Sequence, residues 1–242
     1  MNYNYMRYRL EPESDDKKGI LYIVSTPIGN LEDITLRAIR VLKESDMIAA
    51  ENTRTSKKLL NHYGINTHLI SYNQHNKKRR TKQILSLICE ESKNVSLISE
   101  SGTPGILDPG FYLIREAIKN RVKIVSVPGC SAILAGLVIS GFPMNRFLFE
   151  GFLPTKKGRK KKIEQLSKEE RTIVLFESPH RLKKSLQDIF EVFGERKIAI
   201  ARELTKKFEE VLHFSLREAV EYYKNREVRG EFVLVIAGET FS

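Results

Sequence analysis

Between Ser99 and Gly110 the chain reads Ser-Glu-Ser-Gly-Thr-Pro-Gly-Ile-Leu-Asp-Pro-Gly, so Gly102, Gly105 and Gly110 stand among Pro104, Pro109, Ser101, Thr103 and Asp108. Glycine and proline at this density fix an irregular backbone and let a ligand approach main-chain N–H and C=O groups closely. Two further turns have the same character: Ser25-Thr26-Pro27-Ile28-Gly29-Asn30 and Pro128-Gly129-Cys130-Ser131-Ala132. The chemistry these residue types offer is the holding of a small ligand by backbone groups and a few hydroxyls.

Each turn follows a short apolar run: Leu21-Tyr22-Ile23-Val24, Val95-Ser96-Leu97-Ile98, or the stretch from Val122 to Val127. In an open α/β sheet, ligands bind outside the carboxyl ends of the strands, so three such loops are expected to line one crevice. Between Gly19 and Val127, β-branched runs alternate with helix-length amphipathic segments, the pattern of βα units and a mainly parallel sheet. Strands are expected at Leu21–Val24, Met47–Ala50, Val95–Ser99 and Lys123–Val127. Helices are expected at Ile34–Lys43, Ser56–His62, Lys77–Glu90 and Gly110–Asn120, with Asp33 capping the first and Thr53 or Thr55 the second.

A composition break follows Phe147-Leu148-Phe149. The turn-rich Glu150–Thr155 and the basic run Lys156–Lys162 read as a linker. The expected organisation is therefore a flexible arm over 1–18, an α/β domain over 19–150 and a smaller α/β domain over 151–242. In the last of these, strands are expected at Thr172–Phe176, Lys197–Ala201, Phe208–His213 and Phe232–Ala237, with helices at Pro179–Phe193 and Ser215–Lys224.

The 242 residues are 41% hydrophobic, enough for a proper core. Lys and Arg number 41 against 30 Asp and Glu, a formal charge of +11 that favours a polyanionic partner such as nucleic acid. Cys89 and Cys130 form neither a CxxC nor a metal-like spacing, which argues against a disulfide framework or structural zinc and fits a reducing cytoplasm. No secretory leader is expected, and the apolar stretch Ile133–Phe142 is too short and interrupted to span a bilayer. GxGxxG after the first strand, GxxxxGK[ST], GxSxG and HExxH are all absent, so dinucleotide, P-loop and common hydrolase readings lack support.

Five motifs in order carry a resemblance: Ser25–Thr35, Ser101–Pro104 with Asp108–Gly110, Val127–Ala132, Phe176-Glu177-Ser178-Pro179-His180-Arg181, and Ala201-Arg202-Glu203-Leu204-Thr205-Lys206. With these the chain resembles the ribosomal RNA small subunit methyltransferase I family, of the tetrapyrrole methylase fold. The resemblance implies an S-adenosylmethionine-dependent enzyme that methylates the ribose 2′-hydroxyl of a cytidine in the decoding region of small-subunit ribosomal RNA. It further implies a homodimer, with the cofactor bent in a cleft between two α/β domains. The cofactor residues it implies are Pro27, Ile28 and Gly29 in the first loop, Gly102, Thr103 and Ile106 in the second, and Gly129, Ser131 and Ala132 in the third. Phe176 is the implied wall from the second domain. Taken singly, Ile28, Ile106, Ala132 and Phe176 read equally as core.

A methyl sulfonium is an activated donor, so the protein must align the attacking oxygen, exclude water and take up one proton, with no metal required. Candidates for this work are Glu51 and Arg54, Asp108, Glu177 and His180, and Arg202. Pro179-His180-Arg181 also reads as an ordinary helix start. The arginines are better holders of phosphate or carboxylate than bases. Sequence-independent attraction to RNA is expected from Lys156, Lys157, Arg159, Lys160, Lys161 and Arg181, and from Lys77-Lys78-Arg79-Arg80.

The chain departs from the family pattern at Asn52 and Gln74, where the family carries acids, and at Glu100-Ser101, where it carries Asp-Ala. It also stops soon after Gly230–Gly238, where many members continue, so the basic run is expected to carry more of the RNA docking. Two other readings are a methylase of a tetrapyrrole or other small molecule, and a catalytically silent RNA-binding or assembly protein motivated by the two lost carboxylates.

Overall fold

A computed structural model describes residues 18–241; apart from Lys18, the expected arm lies outside them. The chain forms two compact units that interleave in sequence. One comprises 18–24, Leu36–Glu100 and Pro104–Val127, the other Ser25–Thr35, Ser101–Thr103 and Pro128 onward.

The first unit is a five-stranded sheet of β1 (Ile20–Val24), β2 (Met47–Ala50), β3 (Leu69–Ser71), β4 (Val95–Ile98) and β5 (Lys123–Val127), in the order β3-β2-β4-β1-β5. Every neighbouring pair is parallel. Connecting them are α1 (Leu36–Glu44), α2 (Thr53–His62), α3 (Lys77–Glu90) and α4 (Phe111–Lys119). β4 is buried along its whole length, as a central parallel strand covered on both faces must be. Its one polar residue, Ser96, meets the Ser45 hydroxyl at 2.6 Å. Ile84 and Ile88 of α3 and Leu113 and Ala117 of α4, each pair one helical turn apart, pack on Leu21, Ala49, Val95 and Leu97. Because all five strands run the same way, the segments that follow β2, β3 and β4 emerge at one edge of this sheet.

The second unit contains α5 (Ala132–Val138), β6 (Phe147–Phe152), α6 (Arg159–Leu166), β7 (Thr172–Glu177), α7 (Leu182–Phe193), β8 (Lys197–Arg202), β9 (Glu210–Ser215), α8 (Leu216–Lys224) and β10 (Phe232–Ile236). Its sheet runs β6-β7-β10-β8-β9, with β6 parallel to β7 and the other pairs antiparallel. Alternate residues feed two separate cores. Ile173, Leu175, Ile198, Ile200, Leu234 and Ile236 pack under α6, α7 and α8. Val174, Ala199, Ala201, Val233 and Val235 face Ile133 and Leu137 of α5. Gly136 sets the closeness of α5, since a Cβ there would lie 2.7 Å from Val233 Cγ1.

Several expectations change. The cap of α2 is Asn52 and not Thr53 or Thr55, and Asp33 ends a short 3-10 turn (Leu31–Asp33) ahead of α1 instead of capping it. The cut after Glu150 falls inside β6, which pairs with β7 through a register shift between Phe149 and Gly151. The supposed linker begins in β6 and ends in α6, whose buried side is Arg159, Ile163 and Leu166, a periodicity masked by the four consecutive basic residues that open it. β3 and α5 add elements not expected; β3 is too short for a pattern, and α5 is apolar with a glycine inside it. No helix among the described residues is long and apolar enough to cross a membrane.

Candidate active site

The first and third Gly/Pro loops and Ser101–Thr103 of the second loop belong to the second unit, where they meet. Thr26 and Gly102 exchange backbone hydrogen bonds, Thr26 N to Gly102 O at 2.9 Å and Gly102 N to Thr26 O at 3.0 Å, forming an antiparallel bridge. Ser25 Oγ and Thr103 Oγ1 lie 2.9 Å apart. Thr103 Oγ1 also donates to the Cys130 carbonyl at 3.5 Å, and Cys130 Sγ donates to Asp33 O at 3.1 Å. First, second and third loops are thus tied in sequence through side-chain hydroxyls and main chain.

Glycine is required at two points of this knot. Gly102 has φ +76, and a Cβ on it would stand 3.4 Å from Ile28 Cγ2 and 3.6 Å from Cys130 O; the position is both left-handed and a cradle that a side chain would fill. Gly29 lies against the loop after β8, where a Cβ would meet Lys206 Cγ at 2.5 Å and Thr205 Oγ1 at 2.7 Å. The cradle at Gly102, with bare backbone and a flanking hydroxyl, fits a small ligand held by main-chain groups.

The other expected cofactor residues fall into distinct surroundings. Pro27 and Ile28 are buried, Ile28 in the same cluster as Ile133, Leu204 and Val233, with Ala132 and Phe176 at its margin. Phe176 meets Phe149 and Phe152 edge-on, with ring centroids 5.1 and 5.8 Å away. Gly129 packs on Ser25, and Ser131 occupies the N-cap of α5 without using its hydroxyl there. Ile106 belongs to the first unit and is 43% exposed.

Of the proton-transfer candidates, Glu51 and Asp108 are brought together with Glu100 in the first unit. Burial raises the carboxyl of Glu51 above its ordinary range, and the charges of Asp108 and Glu100 raise it further. Burial likewise raises Asp108, aided by Glu100 and opposed by a hydrogen bond from Ser99. Both carboxyls are thus held above their ordinary range, which strengthens each as a proton acceptor. Arg54, on the first turn of α2, is exposed.

Glu177, Arg181 and Arg202 are occupied in the second unit by internal partners. Glu177 is 3% exposed and accepts from Ser178 N at 2.8 Å and from the Ser185 hydroxyl, with Arg181 Nε at 3.5 Å. Arg181 also donates to Leu153 O. Arg202 donates to Arg229 O at 2.7 Å and faces Glu210 at 3.8 Å. His180 is an exposed turn residue just ahead of α7.

Among the expected RNA contacts, Lys156, Lys157, Lys160 and Lys161 are exposed, whereas Arg159 is 7% exposed. Arg159 donates to Asp188 Oδ2 at 2.7 Å, Pro154 O at 3.0 Å and Ser185 Oγ at 2.9 Å. It is a strut between α6 and α7, which corrects its assignment to a solvated basic run.

Asn52 and Gln74 have local roles that an amide fills. Asn52 Oδ1 caps α2 by accepting from Arg54 N at 3.0 Å and Thr55 N at 3.4 Å. Gln74 Oε1 accepts from Lys77 Nζ at 2.7 Å ahead of α3. The motif reading missed Thr205, whose Oγ1 accepts from Asn30 N at 3.1 Å; its only sequence signal is its place in the Ala201–Lys206 motif.

The profile of the Tetrapyrrole (Corrin/Porphyrin) Methylases matches residues 20–220. A ribosomal RNA small subunit methyltransferase I of Halalkalibacterium halodurans is 45% identical over 234 residues, spanning 96% of this chain and 81% of that protein. One of Thermotoga maritima is 45% identical over 221 residues, 91% of this chain and 99% of that protein. Among solved structures, diphthine synthase superposes with a TM-score of 0.72 at 15% identity, over 93% of this chain and 92% of that one. Uroporphyrin-III C-methyl transferase from Thermus thermophilus, complexed with S-adenyl homocysteine, gives 0.64 at 18% identity over 91% and 98%. At these identities the structural likeness is one of fold.

Proposed function

The chain belongs to the ribosomal RNA small subunit methyltransferase I family within the tetrapyrrole methylases, and from that membership we propose that it methylates the 2′-hydroxyl of a cytidine ribose in the decoding region of 16S ribosomal RNA. It is an S-adenosylmethionine-dependent methyltransferase. The observation that carries the reading is 45% identity along nearly the whole chain to relatives that bear that name. The +11 charge is consistent with a polyanionic substrate and gives no reason to favour a small tetrapyrrole.

The cofactor, when bound, supplies a methyl group on a sulfonium, already activated for displacement. The residues that would hold it are Gly102 and Thr103, with Ile28, Ser131 and Ala132 around them. Thr103 is kept in place by Ser25 and the Cys130 carbonyl, so the second loop is set before any ligand arrives. Preorganisation of this kind lowers the ordering cost of binding.

The proton leaving the ribose hydroxyl passes to a carboxylate, and Asp108 and Glu51 are the two whose environments suit acceptance. Glu177 and Arg202 act instead as structural supports through the partners described above. The exposed Lys156, Lys157, Lys160 and Lys161 hold the RNA backbone by charge, and sequence is read from an unstacked nucleotide and RNA shape. The protein works in the cytoplasm as a homodimer, and the transfer needs no metal. Against the silent-protein reading stands the local use of both amides, Asn52 as the cap of α2 and Gln74 as acceptor from Lys77, which gives each residue a structural reason.

The test is transfer of labelled methyl from S-adenosylmethionine to small ribosomal subunits lacking the modification, followed by nucleoside analysis. The expected product is 2′-O-methylcytidine; a methylated base or no RNA product overturns the reading.

A further inference from the structure

The loop after β8 is strained and over-determined, and it bears on the first Gly/Pro loop. Glu203 has φ +50 and Thr205 has φ +66. A β-branched residue in the left-handed region is a genuine outlier, and such conformations persist only where the surroundings impose them.

The imposing contacts are specific. Glu203 N donates to Glu231 O at 2.9 Å, and Glu231 N donates back to Glu203 Oε1 at 2.9 Å. Lys206 Nζ binds both carboxylates, Glu203 Oε1 at 2.9 Å and Glu231 Oε2 at 2.8 Å. Thr205 N donates to the Glu209 carboxylate. Leu204 is buried in the same cluster as Ile28. Gly230, at φ +97, makes room for the Glu203 side chain, which a Cβ there would meet at 2.6 Å.

This brace presents the Thr205 hydroxyl to Asn30 N at 3.1 Å and presses the loop's backbone and Lys206 against Gly29. Resting on the methyl-donor reading of the preceding section, we propose that Thr205 is a positioning residue: its strained backbone aims a hydroxyl that fixes the Ile28–Asn30 segment in the form that receives the cofactor. Thr205 touches no reacting atom. Its effect is on the shape and mobility of the first loop, and therefore on cofactor affinity rather than on the rate of the bound complex.

The experiment compares Thr205→Gly and Thr205→Ser with the wild-type full chain by three readouts: S-adenosylhomocysteine affinity by calorimetry, amide hydrogen exchange of the segment containing Asn30, and melting temperature. Glycine relieves the φ strain and removes the hydroxyl, whereas serine keeps the hydroxyl. Thr205→Gly is expected to melt no lower than wild type, yet to bind S-adenosylhomocysteine about tenfold more weakly and to exchange the Asn30 amide at least tenfold faster. Thr205→Ser is expected to stay within threefold of wild type on both counts, and in methyl transfer the glycine variant should raise KM for the donor with kcat kept. Affinity and exchange within twofold of wild type in Thr205→Gly overturn the proposal, as does a loss that serine fails to restore. If wild type itself binds no S-adenosylhomocysteine, the methyl-donor reading falls, while the exchange comparison still decides whether Thr205 restrains Asn30.

Discussion

Ser25 and Thr103 meet hydroxyl to hydroxyl at 2.9 Å although 78 residues separate them in the chain. The pair joins the first and second loops, and each hydroxyl is held in a part-buried setting where an unmade bond is costly. Thr103→Val should therefore lower stability by about 1 kcal/mol and weaken S-adenosylhomocysteine binding, with a Ser25→Ala/Thr103→Val double-mutant cycle in denaturant giving a coupling of about 0.5–1.5 kcal/mol. Thr103→Arg should abolish cofactor binding with the fold retained. Unchanged cofactor affinity in Thr103→Arg would remove the second loop from the site.

The basic run on α6 divides into one buried and several exposed members, and the two classes should respond differently. Arg159→Ala leaves Asp188 without its cation and Ser185 without its donor, so a loss of about 2–4 kcal/mol is expected from thermal or denaturant unfolding. Lys160→Ala with Lys161→Ala should leave the melting temperature within a degree or two. That double variant should instead weaken RNA binding and make the plot of log affinity against log salt shallower, by about 0.7–0.9 in slope for each phosphate left without its lysine. Equal effects of the two changes on stability would contradict the division.

Asp108 provides a pH test whose sign is fixed by its environment. Burial, with the charge of Glu100, raises its folded-state pKa above the ordinary 3.8. Between the ordinary and the raised value the folded chain binds more protons than the unfolded one, so this group makes stability fall as pH rises through that window and leaves it lower above. Asp108→Asn should consequently raise the melting temperature at pH 7 while changing it little near pH 4. Methyl transfer should fall on the order of 100-fold if Asp108 is the proton acceptor, and Glu51→Gln should carry the larger loss if that role lies with its neighbour.

Asn52 separates capping from catalysis. Asn52→Ala removes the acceptor for Arg54 N and Thr55 N, and a loss of about 1 kcal/mol is expected. Asn52→Asp keeps the acceptor and places a negative charge at the positive end of α2, for a gain of about 0.3–1 kcal/mol at low salt. Neither change should alter methyl transfer per folded molecule by more than twofold, measured with saturating donor. A rise of tenfold or more in Asn52→Asp would show that a missing base had been restored.

The parts of the architecture that repeat were legible in the chain, and those that depend on distant partners were not. β1, β2 and β5 announced themselves by apolar runs, and α3 by Lys77–Glu90 at its observed bounds. All three Gly/Pro turns, Ser25–Asn30, Ser99–Gly110 and Pro128–Ala132, stood out in the chain because glycine and proline density is local. Arg159 was read as solvated because nothing adjacent reveals that Asp188 lies 29 residues on. The Thr205–Asn30 bond spans 175 residues, and a positive φ at threonine leaves no local trace at all. β6 was obscured by Gly151 and the register shift beside it.

The interleaving of the two units has a consequence for how the molecule is made. The first unit is complete once Val127 has been synthesised, whereas the second gathers Ser25–Thr35 and Ser101–Thr103 to strands that follow much later. Ile28 has no core to enter until Ala199, Leu204 and Val233 exist. During translation the first two loops therefore wait as unfinished connections on an otherwise foldable half. Cutting the gene at any single point cannot yield the second unit intact; splitting the protein requires the early loops to be supplied in trans or the chain to be permuted.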